Sequence, residues 1–161
     1  MKTRNLLFLL APWLIVFIVA VLIYYLSSQN REASHEMSQG IARIAFDVLR
    51  PSFSFIRENS DRLLLDAIDT FVRKLAHIFL YYMITIFVML GFRRLTDEKI
   101  IIFFGSLLAV LFLACADEFL QLFSYGRGAS AFDVLLDMAG AVAALLTALL
   151  AIAVRRVKFR K

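Results

Sequence analysis

Four apolar runs, each long enough to cross a bilayer, dominate the chain: residues 6–26, 74–92, 100–121 and 131–154. A hydrocarbon core about 30 Å thick is crossed by roughly 20 helical residues, and it offers no water to an unpaired backbone group. Runs of this length therefore favour spanning helices. Composition points the same way. Of 161 residues 61% are hydrophobic, including 16 Phe, which is too apolar for an ordinary soluble domain. The expected fold class is all-α: one domain, an integral membrane bundle of four transmembrane helices, with an amphipathic helical segment between the first and second.

The first run begins after Lys2 and Arg4, as a signal peptide does. It is longer than a signal's apolar region and ends at Tyr24-Tyr25 rather than at small residues, so it reads as an uncleaved helix with an interfacial aromatic belt. Ser27-Ser28-Gln29-Asn30 is its polar exit. Residues 31–72 are charged and amphipathic. Met37, Ile41, Ile44, Ala45, Val48 and Leu49 recur at helical spacing until Pro51. A second amphipathic helix is expected after Ser60 as N-cap, carrying Leu63, Leu64, Ala67, Ile68 and Phe71. Such helices lie in the membrane interface or cap the bundle; the plainer alternative is a solvated loop with two short helices. A basic turn (93–99), a glycine-containing turn (124–130) and a basic tail (155–161) complete the chain.

The net charge of +5 does not point to nucleic acid, because Lys and Arg cluster beside apolar runs as topology requires. Ten basic residues lie on one side: Lys2, Arg4, Arg93, Arg94, Lys99, Arg155, Arg156, Lys158, Arg160 and Lys161. Eight lie on the other, over a much longer stretch in which residues 31–72 hold more acids than bases. Both termini are therefore expected in the cytoplasm, with residues 27–73 and the 122–130 turn outside. The single cysteine, Cys115, lies inside an apolar run and forms no intrachain disulfide.

Ionisable groups at the ends of spanning segments are costly and mark functional sites by default. Residues 116–140 hold Asp117, Glu118, Gln121, Arg127, Asp133 and Asp137. The second run adds Arg73, His77 and Tyr81 at i, i+4 and i+8, with Lys74 beside them. Asp117 lies about 25 Å along the third helix, close to the far edge of the apolar layer. The topology thus brings acids, bases, an imidazole and a phenol to one depth from three helices. Each has a plainer role. Ser130 to Asp133 fits a capping box with Asp in place of Glu, and Asp117 and Glu118 can pair with Arg73, Lys74 or Arg127 to hold the bundle. His77 alone reads as a packing residue. Gly140 and Ala144 make a small-xxx-small pair suited to close helix packing. Asp137 lies deeper and needs a proton or a partner. Arg127, Arg73 and Lys74 suit a phosphate or carboxylate. A divalent metal on His77, Asp117 and Glu118 is chemically possible, but no HxxxH or CxxC spacing supports it; neither metal nor cofactor is expected. There is no nucleophile elbow, P-loop or dinucleotide fingerprint.

Arg73-Lys74-x-x-His77-x-x-x-Tyr81, Asp117-Glu118-x-x-Gln121, Arg127, Asp133 and Asp137-x-x-Gly140 together resemble the VanZ-like family of bacterial membrane proteins. The Ser27-Ser28-Gln29 exit is also similar. The chain departs from the family at Asp137, where many members carry Asn. The resemblance implies a multi-pass protein of the bacterial plasma membrane, with partners among membrane lipids, a lipid-linked cell-wall precursor or a glycopeptide. Its theme is that of the family's name-giving member, low-level resistance to teicoplanin. On this reading Arg73, Lys74, Tyr81, Gln121, Arg127, Asp133 and Asp137 bind an anionic head group or lipid-linked envelope component, which modulates glycopeptide or envelope-stress sensitivity. Two alternatives stand beside it. In one, a membrane enzyme acts on a lipid-phosphate or lipid-linked substrate, with Asp117 or Glu118 as base, His77 as acid or base and Arg127 as phosphate clamp. In the other the polar residues only hold the bundle together.

Overall fold

The computed structural model describes residues 5–28, 31–53, 61–123 and 128–158. These form α1 (Leu6–Ser28), α2 (Arg31–Leu49), a 3₁₀ turn (Arg50–Phe53), α3 (Asp61–Leu95), α4 (Lys99–Gln121) and α5 (Ala131–Lys158). α1, α3, α4 and α5 are long and apolar enough to cross a membrane. α3 packs against every other helix, and the core forms where it meets α1, α4 and α5: Ile23, Tyr81, Ile84, Val88, Val110, Ala114 and Ala141.

Outside this core the helices expose large apolar side chains, among them Phe17, Ile18, Leu108, Phe112, Leu146 and Leu150. In water so much exposed apolar surface would drive association; against acyl chains it needs no cover. Two of the buried hydroxyls satisfy themselves locally. Thr85 Oγ1 donates to the Tyr81 carbonyl at 2.6 Å and Ser106 Oγ to that of Ile102 at 2.6 Å, the i−4 back-bond that lets Ser and Thr sit inside a spanning helix.

Two close approaches set the helix spacing. A Cβ on Gly140 would lie 2.2 Å from the Ile78 backbone oxygen, so α5 meets α3 backbone to backbone. Ala141 and Ala144 beside it are fully buried, as expected of a small-residue interface. A Cβ on Gly91 would lie 2.7 Å from the Trp13 ring, and Trp13 meets Phe92 edge to face with centroids 5.4 Å apart.

α1 contains Pro12, which has no N–H for the carbonyl four residues back. That carbonyl belongs to Phe8, and Arg94 of α3 donates its guanidinium N–H to it. The same guanidinium lies 4.0 Å over the Phe8 ring. One side chain thus replaces the missing helical bond and covers an aromatic face.

The spanning run expected at 74–92 and the amphipathic helix expected before it are one helix. α3 is 35 residues long, about 52 Å at 1.5 Å per residue, and it exceeds the apolar layer. Hydropathy changes near residue 74, but the helix does not. Residues 61–73 contain neither Pro nor Gly, so nothing in the backbone interrupts the helix there. Ser60, the expected N-cap, lies outside the described residues. At this end Arg50 pairs with Asp61 at 2.8 Å and ties the 3₁₀ turn to the start of α3.

α2 docks on the extension of α3 by small and polar residues. Ser38 and Ala42, one turn apart, are buried, as are Ile68 and Asp69 on α3. Ile41, Ile44 and Val48 are 61–71% exposed. The apolar stripe read from the sequence therefore points away from the bundle.

Candidate functional site at the α4–α5 end

α1 and α4 run toward one end of the bundle and finish there; α5 starts there, and α3 passes through. Four helices accordingly deliver polar side chains to one place: Ser27 from α1; Asp69, Arg73, Lys74 and His77 from α3; Asp117, Glu118 and Gln121 from α4; Asp133 and Asp137 from α5. Asp69, Asp117, Glu118, Gln121 and Asp137 are all buried.

The bonds run between helices. Ser27 Oγ donates to Asp117 Oδ2 at 2.8 Å. Gln121 Nε2 reaches the same oxygen and also Glu118 Oε1, each at 3.2 Å. Glu118 Oε2 accepts the Ser130 backbone N–H at 2.7 Å, joining the end of α4 to the start of α5. A carboxylate there also faces the positive end of the α5 dipole.

The capping box expected at Ser130–Asp133 is only half as drawn. Ser130 Oγ accepts the Asp133 N–H at 3.3 Å, but the Ser130 N–H goes to Glu118. Asp133 turns instead to Lys74, whose Nζ lies 2.8 Å from Oδ1 and 4.9 Å from the Phe132 ring centre. Both partners are more than a third exposed, so in water the pair would contribute about 0.2–1 kcal/mol.

Arg73 meets a second acid, on its own helix. Arg73 Nε lies 3.5 Å from Asp69 Oδ2, and Asp69 also accepts a bond from Ser38 of α2. Asp69, 1% exposed, did not stand out in the sequence. Its i, i+4 spacing to Arg73 was the available signal, hidden by starting the helix at residue 74. Ser27, which the sequence marks only as part of a helix exit, is the α1 contribution to the site.

His77 Nδ1 is 3.8 Å from Asp137 Oδ1, beyond hydrogen-bond reach. Donor atoms of His77, Asp117 and Asp137 lie within 4.8 Å of one another. Tyr81 is 1% exposed and belongs to the core; with Asp117 it also lines a cleft of about 90 Å³ between α1, α3 and α4. The other walls of that cleft are Ala20, Ile23, Tyr24, Ile84, Leu113, Ala116 and Leu120. It has room for roughly three water-sized groups. Of the ten candidate residues, nine fall at this end of the bundle; Arg127 lies outside the described residues.

The family model described as VanZ/LLP1 matches residues 12–152. That range includes every residue of the polar end and both close helix contacts. No curated protein and no solved structure matches the chain.

Proposed function

The chain belongs to the VanZ/LLP1 family, and on that premise we propose a function for the polar end of its bundle. This multi-pass membrane protein holds an anionic lipid head group or a lipid-linked envelope component there, and so modulates sensitivity to teicoplanin-type glycopeptides or to envelope stress. The membrane is the bacterial plasma membrane and both termini are cytoplasmic, which puts the polar end at the outer leaflet. The Lys and Arg distribution supports this orientation.

One observation carries the reading. The end of the bundle where Arg73 and Lys74 meet carboxylates also holds an apolar cleft reaching Asp117 and Tyr81. A lipid phosphate has both halves of the matching chemistry: an anion that can replace a carboxylate on Lys or Arg, and a chain for an apolar wall. The exposed stripe of Ile41, Ile44 and Val48 on α2 suits a helix lying in the same interface.

Deleting the gene and measuring teicoplanin and lipopeptide sensitivity tests the physiological claim, with complementation by wild type and by the R73A/K74A double variant. Sensitivity should shift on deletion and be restored only by wild type. Unchanged sensitivity, together with an unaltered lipid and cell-wall profile, would contradict it.

A second reading rests on the imidazole of His77 beside the buried Asp137, a pairing suited to proton transfer. In it the protein is an enzyme acting on a lipid-phosphate or lipid-linked substrate, with Asp117 or Glu118 as base and His77 as acid or base. Asp117→Asn and Glu118→Gln separate the two readings. Full function in both, at normal abundance, removes carboxylate catalysis by these two residues.

A further inference from the structure

We propose that His77, Asp117 and Asp137 form a binding site for one divalent transition-metal ion between α3, α4 and α5. The proposal goes beyond the anionic-ligand reading and does not depend on it.

Three observations meet here. First, one ligating atom from each of the three side chains lies within 4.8 Å of the other two. Donors at tetrahedral angles on one ion, with bonds of about 2.0–2.2 Å, sit roughly 3.3–3.6 Å apart. His77 Nδ1 and Asp137 Oδ1, at 3.8 Å, are already close to that spacing. The widest pair lies within 4.8 Å and has to close by at most roughly 1.5 Å.

Second, the Asp137 side chain is 3% exposed, and among the described residues its polar contact is that imidazole, too far for a hydrogen bond. A buried carboxylate without a hydrogen bond is costly; a cation held jointly with His77 supplies the missing partner. Third, Asp117 is held in place by Ser27 and Gln121, which both bond its Oδ2. Carboxylates that ligate metals are commonly oriented by outer bonds of this kind. Lys74 bonds Asp133 at 2.8 Å.

An imidazole with two carboxylates suits Zn²⁺, Fe²⁺ or Mn²⁺ rather than Mg²⁺ or Ca²⁺, which prefer oxygen alone. Three protein ligands leave at least one coordination position for water or an oxygen from a bound ligand. The His77 side chain is 26% exposed, against 3% for that of Asp137.

The test is Co²⁺ titration of the full-length protein, purified in detergent and stripped with chelator, read by visible absorbance. Metal content before stripping is measured by mass spectrometry. Wild type should carry close to one equivalent of a first-row metal and bind Co²⁺ saturably at one per chain. His77→Gln and Asp137→Asn, both near-isosteric, should weaken binding at least tenfold, whereas Asp97→Asn in the α3–α4 turn should not. Circular dichroism and elution volume confirm that each variant is folded. Absence of saturable Co²⁺ binding by folded wild type, or equal affinity in folded H77Q and D137N, overturns the proposal.

Discussion

The two ends of the bundle use charge differently. At the end holding Phe8, Trp13 and Arg94, one guanidinium bonds the carbonyl that Pro12 leaves behind and covers a ring, and the rest is aromatic packing on Gly91. The Arg94 bond there answers a defect in the backbone. At the other end Asp69, Asp117, Glu118, Gln121 and Asp137 are all buried. Glu118 does answer a structural need, capping α5 through Ser130. Asp137 and His77 lie 3.8 Å apart, an ion pair when the imidazole is protonated. That buried polarity is what the proposed function draws on.

Substitutions can break or sharpen this contrast. The largest effect is expected at the contact both ends depend on. Gly140→Ala drives a Cβ into the Ile78 carbonyl, where neither backbone can yield. Such overpacking costs about 1–3 kcal/mol or more, and the folded yield on size exclusion should collapse. Near-normal yield would mean that α3 and α5 are spaced more loosely than a 2.2 Å Cβ approach implies.

Next is Asp69→Ala, which removes a partner of both Ser38 and Arg73. Leaving buried polar groups unsatisfied costs about 1–3 kcal/mol. The cost falls on the α2–α3 contact, so limited proteolysis should cut faster within α2 while α4 and α5 stay protected. Equal protection of α2 would show that Ala42 and Ile68 suffice to dock it.

Arg94→Ala should lower stability by about 1 kcal/mol through the lost carbonyl bond, about 2–4 °C in melting temperature, with no change in ligand or metal binding. A binding defect there would erase the distinction between the ends. Lys74→Ala should be the mildest for stability, about 0.2–1 kcal/mol, yet impair binding of an anionic ligand. Reduced abundance without a binding defect would favour the reading in which these residues only hold the bundle.

Much of this was legible in the sequence, and the limits have physical causes. The runs expected at 100–121 and 131–154 correspond closely to α4 (Lys99–Gln121) and α5 (Ala131–Lys158), because hydropathy and the chain turns change at the same places. α3 does not follow hydropathy: its first turns leave the apolar layer without breaking the helix. That difference concealed Asp69 and the acid that Arg73 meets. Convergence of α3, α4 and α5 at one depth follows from counting residues along antiparallel spans. The choice of partner does not. Lys74 with Asp133, and Glu118 with the Ser130 N–H, depend on helix rotation and on which donors a turn exposes. Arg94 illustrates the same limit, since in the sequence it is one topology-setting charge among ten, and only its position beside Pro12 gives it a further role.

The most direct measurement of whether the polar end is a ligand site is native mass spectrometry of the full-length protein released from its own membranes. Wild type is compared with the R73A/K74A double variant. The expected result is an anionic-lipid or lipid-linked phosphate adduct on wild type that is absent from a variant of equal folded yield. Identical adducts on both, or none on either, would contradict it.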